Sequence, residues 1–111
     1  MVIEYENKKI KKVCTDLKTA KKNYPDKIAR KLHKVINFIE ISNSLQDIIN
    51  YSPFHFHSLK GDRLGQYAID VGSRRDGYRL IVSFDQDKGE IIENSIKIKE
   101  ILIKEMGNHY E

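Results

Sequence analysis

The spacing of apolar residues changes along the chain, and this change limits the folds that the sequence can adopt. In the first half, apolar residues recur at intervals of three and four, as in Ile10, Val13, Cys14 and Leu17. That spacing places one apolar stripe on a helix. From Gln66 onward apolar and polar residues alternate, as they do in half-buried strands. Helices followed by strands are typical of the α+β class.

The first half predicts a strand at residues 2–5 and then two basic amphipathic helices that form a hairpin. The break between the helices follows Asn23, the expected N-cap, and Pro25 is allowed in the first turn of the second helix. Ser44 and Asp47 resemble a capping box for one further short helical turn.

The second half predicts a meander of antiparallel strands. Residues 66–71 and 77–84 alternate, and the polar residues 73–77 between them are typical of a hairpin loop. A turn is predicted at residues 87–89, and a β-rich segment at 96–103 follows it. We therefore expect an N-terminal strand and helical hairpin packed on a mostly antiparallel sheet.

Length and composition predict a single domain of residues 1–111. A chain of 111 residues with 40% hydrophobic content has room for one modest core. No apolar run approaches the ~20 residues of a membrane span, and no signal-peptide core is present, so we expect a cytoplasmic protein. Cys14 is the single cysteine, which excludes an internal disulfide and a CxxC metal site. We expect Cys14 to be a small core residue.

The net charge of +4 is unevenly distributed. Residues 1–34 carry eleven Lys or Arg against four acidic residues, whereas residues 85–111 carry four Lys against seven acidic residues. The basic excess is typical of solvated helix faces with i,i+4 pairs, and equally of a surface that binds a phosphate backbone. Charge alone does not decide between these two interpretations.

Two places in the sequence carry candidate chemistry. The segment His57 to Arg63 packs four ionisable groups and a glycine into seven residues before a strand, without the spacing of a P-loop. A polar turn in which Asp62 and Arg63 pair locally is the alternative interpretation. Arg79 stands in an apolar strand, where it is either half of a buried pair with Asp70 or an anion-binding group on an open face.

Three stretches together resemble a known family. The first runs from His57 to Tyr67 (HSLKGDRLGQY) and the second from Tyr78 to Phe84 (YRLIVSF). The third is the short stretch that ends at His109. The chain is similar to the HigB or killer-protein branch of the RelE/ParE toxin superfamily, in which these stretches read roughly H-x-L-K-G-D-R-x-G, aromatic-R-[IL]-x-F and D-Y-H. The order of elements matches over nearly the whole chain, and the central motif is the most specific part.

The resemblance implies a RelE-like (microbial RNase-like) fold and the toxin of a type II toxin–antitoxin system. Such a toxin is a ribosome-dependent mRNA endonuclease that inhibits translation. The ribose 2′-OH attacks the phosphate, and neither a metal nor another cofactor is implied. The implied partners are a helix-turn-helix antitoxin, the ribosomal A site with its rRNA, and mRNA.

The resemblance also implies roles for individual residues. His57 and His109 are the acid–base candidates, with base and acid left unassigned, and Lys60 and Arg79 are the cations that face the scissile phosphate. The RNA-binding candidates are Lys8, Lys9, Lys11, Lys12, Arg63, Tyr67, Arg74 and Arg75. Arg63 is also interpreted as shaping a turn. Tyr67 is either a structural aromatic, which we favour, or a base-stacking platform.

The chain departs from the family at its end. The D-Y-H stretch appears here as Gly107-Asn108-His109, so the acid and the Tyr are missing, and Tyr110 follows the histidine instead of preceding it. Asn108 can form hydrogen bonds but cannot accept a proton. Both losses fall in or near the family's active site.

Three other functions are compatible with the sequence. A ParE-like toxin acts on DNA gyrase by protein contact without nuclease activity, although such members generally lack a catalytic-type set of His, Lys and Arg. A basic RNA-binding module without cleavage would tolerate Ala at His57 and Arg79. A non-toxic remnant or an enzyme with an unrelated substrate is the third.

Overall fold

The computed structural model describes residues 1–85 and 91–108. Its helices are α1 (Lys8–Thr15), α2 (Leu17–Asn23), α3 (Asp26–Ile41) and α4 (Leu45–Asn50). Its strands are β1 (Val2–Tyr5), β2 (His57–Ser58), β3 (Tyr67–Asp70), β4 (Arg79–Ser83) and β5 (Glu100–Gly107). The predicted α+β class and the predicted opening strand are confirmed.

The five strands form one sheet in the order β1-β5-β4-β3-β2. The first strand pairs with the last in parallel, and the other three pairs are antiparallel. The sheet is therefore mixed but mostly antiparallel, as predicted. The two-residue strand β2 was not predicted, because two residues are too short to show an alternating period.

The main core lies between the helices and one face of the sheet. Its fully buried side chains include Leu32 and Ile39 of α3, Ile69 of β3 and Leu80 of β4. A small separate cluster of Leu59, Ala68 and Ile81 is also buried. Within the described residues, no helix is long and apolar enough to cross a membrane.

The predicted first helix is wrong in one respect, because it is broken at Asp16. This residue has extended backbone angles (φ −126°, ψ 108°) between α1 and α2, and its carboxylate accepts a hydrogen bond of 2.6 Å from the Thr19 hydroxyl. Asp favours such positions over helix interiors because its short side chain bonds nearby polar groups. Leu17, which the apolar pattern placed at the end of one helix, therefore begins the next.

The predicted N-cap of the long helix is also wrong. Pro25 is the N-cap of α3, and its φ of −52° is close to the value that the proline ring imposes. Asn23 instead ends α2, where its side-chain amide donates to the Thr19 carbonyl. Ser44 caps α4 as predicted, but the Asp47 carboxylate accepts from the N–H of Asn43 rather than that of Ser44.

His33 of α3 is half-buried. Its Nε2 lies 3.0 Å from the Val13 carbonyl, so it links α3 to α1. Cys14 is buried in the core as predicted. Burial raises the pKa of its thiol to about 12, which leaves the thiolate, the reactive form, unpopulated at neutral pH.

The last strand begins later than the sequence predicts. Residues 95–97 form one 3₁₀ turn, and β5 starts at Glu100. The carbonyl of Ile98 accepts the N–H of Leu45 at the start of α4, so a helix, and not a neighbouring strand, uses this backbone group. The predicted turn at residues 87–89 lies outside the described residues.

The predicted hairpin loop between β3 and β4 is confirmed. Ser73 and Asp76 form a capping box around a 3₁₀ turn, and Gly77 follows it in the left-handed conformation. Gly72 precedes the turn with a φ of +83°, and a Cβ atom there would lie 2.8 Å from an Asp76 carboxylate oxygen. The loop therefore requires glycine at residue 72, both for its backbone angle and for space.

The core assignment makes a prediction for two isoleucines near the end of α3. Ile39 is fully buried and Ile41 is 82% exposed. Ile39→Ala is expected to lower the free energy of unfolding by about 2–5 kcal/mol, measured by urea denaturation. Ile41→Ala, the matched control, is expected to change it by less than about 0.5 kcal/mol. Similar losses from both variants would contradict the placement of the core.

Candidate functional site

The face of the sheet that points away from the main core carries the candidate site. Leu80 and Val82 of β4 pack in the main core. Because side chains alternate along a strand, Arg79, Ile81 and Ser83 lie on the opposite face, which we call the outer face. The separate cluster that contains Ile81 belongs to this face.

The strand register brings three sequence-predicted groups to the outer face. His57 of β2 is opposite Ala68, and Ala68 is opposite Ile81. Asp70 is opposite Arg79. Directly opposite residues point to the same face of a sheet, so His57, Asp70 and Arg79 lie on the outer face near the β2 edge.

Asp70 and Arg79 form a close ion pair. The Arg79 Nε atom lies 3.0 Å from Asp70 Oδ1, and the two side chains are only 17% and 2% exposed. The buried-pair interpretation of Arg79 is thus confirmed. The two atoms are not aligned for a hydrogen bond, and Oδ1 has no hydrogen-bond partner in residues 1–85 and 91–108. Asp70 therefore keeps an unused acceptor beside the guanidinium.

His55 is part of this site, although the sequence analysis did not select it. It follows a 3₁₀ turn, Ser52–Phe54, in the left-handed conformation (φ 44°, ψ 48°). Its Nδ1 lies 3.9 Å from Asp70 Oδ2, and its ring centroid is 4.5 Å from that of His57. The sequence signal that could have indicated it is the pair of histidines, His55 and His57, two residues apart.

His57 is held by the backbone of His55. Its Nδ1 lies 2.7 Å from the His55 carbonyl oxygen. A carbonyl oxygen can only accept a hydrogen bond, so Nδ1 carries the proton. In the neutral ring the lone pair is then on Nε2. His57 is half-buried and can accept a proton at Nε2.

The charges around His55 oppose its protonation. Its pKa is lowered first by partial desolvation, then by the positive charge of Arg74 and by His57, and also by Arg79. The Asp70 carboxylate acts in the opposite direction. Arg74, in the β3–β4 turn, is therefore close enough to contribute to the field of the site. Arg75 lies exposed in the same turn.

Lys60 is not brought into the cluster. It is exposed and has an extended backbone (φ −120°, ψ 174°). Its neighbour Leu59 packs in the outer-face cluster. Its ammonium makes no ion pair within the part of the chain that the structure describes. Its catalytic role remains a prediction from the family resemblance.

His109 lies outside the described residues, as does Tyr110. The last described residues nevertheless lead to the site, because Gly107 at the end of β5 is opposite Arg79 in the register. Asn108 is exposed. The end of β5 therefore reaches the same end of the sheet as the Asp70–Arg79 pair.

Two RNA-binding candidates make structural contacts. Arg63 Nη1 donates to Glu105 at 2.8 Å and to Gln66 at 3.0 Å, so it ties the turn after β2 to β5. Tyr67 stacks on Phe56, with ring centroids 5.2 Å apart and planes inclined by 6°, and it meets Phe84 edge-on. These contacts favour a structural interpretation of both residues, while their binding to RNA remains a prediction.

The lysines of α1 lie on a different surface. The helix buries Ile10, Val13 and Cys14 and packs against β1, β5 and α3. Its exposed face carries Lys8, Lys9, Lys11 and Lys12. Because the helices cover the core side of the sheet, these lysines and His57 are on opposite sides of it.

No protein-family model matches the chain, and no curated protein is significantly similar to it. Within the described residues, no group of three or more His, Cys, Asp or Glu side chains could hold a metal ion. The side chains that lie together on the outer face define the reactions that the site can support.

Those side chains combine a proton acceptor with cations. An imidazole with a free Nε2 can take a proton from a hydroxyl. The guanidinium of Arg79, with Arg74 nearby, can stabilise negative charge that develops on a phosphate. This pair of capacities suits the cleavage of a phosphodiester by a neighbouring hydroxyl.

The proximity of Arg74 predicts a pKa change at His55. Arg74→Gln removes a positive charge that disfavours the imidazolium, so it is expected to raise the pKa of His55 towards its ordinary value. The pKa is measured by NMR titration of the ring protons. Arg75→Gln is the matched control in the same turn and should leave it unchanged. Equal shifts in the two variants would show that the Arg74 side chain does not face the site.

Proposed function

We propose that the chain is a RelE-like toxin of the HigB branch, the toxin of a type II toxin–antitoxin system that cleaves mRNA on the ribosome. The observation that carries the proposal is the placement of His57 and Arg79 on one face of the sheet. The family resemblance had implied these two residues as base or acid and as cation. They are separated by twenty-one positions of sequence, and the β2–β3–β4 register brings them to the same surface.

The architecture supports this proposal. A strand, a helical layer and an antiparallel meander follow one another along the chain, and the first and last strands are neighbours. The helices cover one side of the sheet and leave the outer face to the candidate site. A fold can host many functions, so the side chains of the site support the proposed function more strongly than the fold does.

The proposed reaction is a transfer of phosphorus from one oxygen to another. The ribose 2′-oxygen bonds to phosphorus as its proton passes to His57 Nε2, and the bond from phosphorus to the 5′-oxygen breaks. The products are a 2′,3′-cyclic phosphate and a 5′-hydroxyl. Arg79 and Arg74 stabilise the extra negative charge of the pentavalent phosphorane. The leaving 5′-oxygen takes a proton from a general acid, for which His109 is the candidate.

The partners follow from the proposed family. A helix-turn-helix antitoxin would cover the toxin, and the ribosomal A site, with its rRNA, would present the mRNA. The exposed lysines of α1 support a phosphate-binding surface on the other side of the sheet from the site, because counterion release drives such binding without base specificity.

A second candidate is a basic RNA-binding module without cleavage. It is favoured by the engagement of Arg79 with Asp70 and by the exclusion of Lys60 from the cluster, since both reduce the positive charge available to a scissile phosphate. The two functions differ in one measurable product, the cut RNA.

Cleavage is tested by inducible expression in a bacterial host, with primer extension on a reporter mRNA. We expect growth arrest and new cuts that depend on translation. His57→Ala should lower the cleavage rate by about 10²–10⁴-fold, whereas Ser58→Ala, the exposed neighbour in β2, should cut like the parent. Arrest without cuts would favour the binding module or a gyrase-directed toxin.

Ribosome binding is tested through the lysines of α1. Lys8→Glu combined with Lys11→Glu should weaken co-sedimentation with ribosomes and flatten its dependence on salt concentration, because fewer counterions are released. Lys97→Glu combined with Lys99→Glu changes the net charge equally and is expected to have a smaller effect. If the two pairs weaken binding equally, net charge rather than the α1 surface controls association.

A further inference from the structure

We infer that His55 is a positioning residue whose left-handed backbone aims its carbonyl at His57 and so fixes which ring nitrogen of His57 takes the proton. The expected effect on cleavage rests on the proposed function. The positioning of the His57 ring can be tested without any cleavage. His55 lies outside the family motif that drew attention to His57.

The backbone of His55 is unusual. Among the described residues it is the one non-glycine with a positive φ, a conformation that side chains disfavour. Such residues persist where the surroundings hold them, and they concentrate at functional sites. Here the N–H of His55 donates to the Ser52 carbonyl at 3.0 Å. Its ring centroid lies 4.5 Å from that of His57, and its Nδ1 lies 3.9 Å from Asp70 Oδ2.

The held carbonyl has a chemical consequence for His57. At 2.7 Å it accepts the Nδ1 proton, so the tautomer with a free Nε2 is the favoured one. When Nε2 takes the 2′-hydroxyl proton, Nδ1 keeps its proton and its hydrogen bond. A hydrogen bond from a charged donor is stronger than one from a neutral donor, so the His55 carbonyl stabilises the imidazolium that the reaction forms.

The His55 ring itself contributes differently. It faces Arg74, Arg79, His57 and Asp70, and partial desolvation with the cationic neighbours lowers its pKa. The lowered pKa disfavours a second positive charge next to His57, so the proton transfer is assigned to His57 alone.

Two substitutions separate the backbone from the ring. His55→Asn removes the imidazole but tolerates the left-handed conformation, whereas His55→Val removes it and disfavours that conformation strongly because Val is β-branched. Circular dichroism checks that both variants fold. If His55→Val does not fold, His55→Ala, which disfavours the left-handed region less, replaces it.

The first readout is the tautomer of His57, measured by ¹⁵N NMR of its ring nitrogens at a pH where the ring is neutral. The parent and His55→Asn should show the proton on Nδ1, and His55→Val should show it shared with or moved to Nε2. The second readout is single-turnover cleavage on programmed ribosomes as a function of pH. His55→Val should lower the rate constant by about tenfold or more with KM unchanged, and His55→Asn should lower it less.

The inference is overturned if His55→Val keeps the proton on Nδ1, or if both variants lose the tautomer to the same extent. A different result would separate the two proposals. If only His55→Val loses the Nδ1 tautomer and the parent cuts no mRNA, the positioning of His57 stands and the proposed endonuclease activity is overturned.

Discussion

The candidate site depends on the buried contact between Asp70 and Arg79. A carboxylate that is 2% exposed needs a cation, because removing an unpaired charge from water is costly. The two residues are opposite each other in the β3–β4 register, and a shift by one residue would turn Asp70 towards the apolar core. The pair therefore favours the observed β3–β4 register, and the β2–β3 register then places His57 opposite Ala68, on the same face as Arg79.

The same contact limits what Arg79 can do. A guanidinium beside a buried carboxylate attracts a phosphate less than a free one, since the carboxylate repels the incoming charge. Two features of the site offset this loss. Arg74 acts on the same space from the β3–β4 turn, and Asp70 Oδ1 is close to Arg79 without being aligned for a hydrogen bond. Arg79 is thus held near its partner but is not saturated by it.

The fold was largely predictable, because apolar periodicity reports which face of each element is buried. The prediction from periodicity was wrong where a contact distant in sequence decides the local structure. The carbonyl of Ile98 accepts a hydrogen bond from Leu45 of α4 and not from a strand. Asp16 is a different failure, in which one polar residue breaks an otherwise continuous apolar stripe. In the site, His57 and Arg79 were found from residue type and spacing. His55 was missed because its role follows from a backbone angle and from its approach to Asp70.

The placement of the two basic surfaces bears on why such an enzyme would need the ribosome. On the outer face His57 is half-buried and the Arg79 side chain is 17% exposed, and a few side chains at a surface can neither orient a flexible ribose nor exclude water by themselves. The lysines of α1 lie on the other side of the sheet from His57, so one extended RNA strand would have to pass around the domain to contact both. In the proposed function these surfaces engage different molecules: the helix side holds rRNA, and the ribosome closes the outer face over the mRNA. Within the described residues the sheet face supplies a proton acceptor and cations, and in the proposed function the ribosome would supply the surface that closes over them.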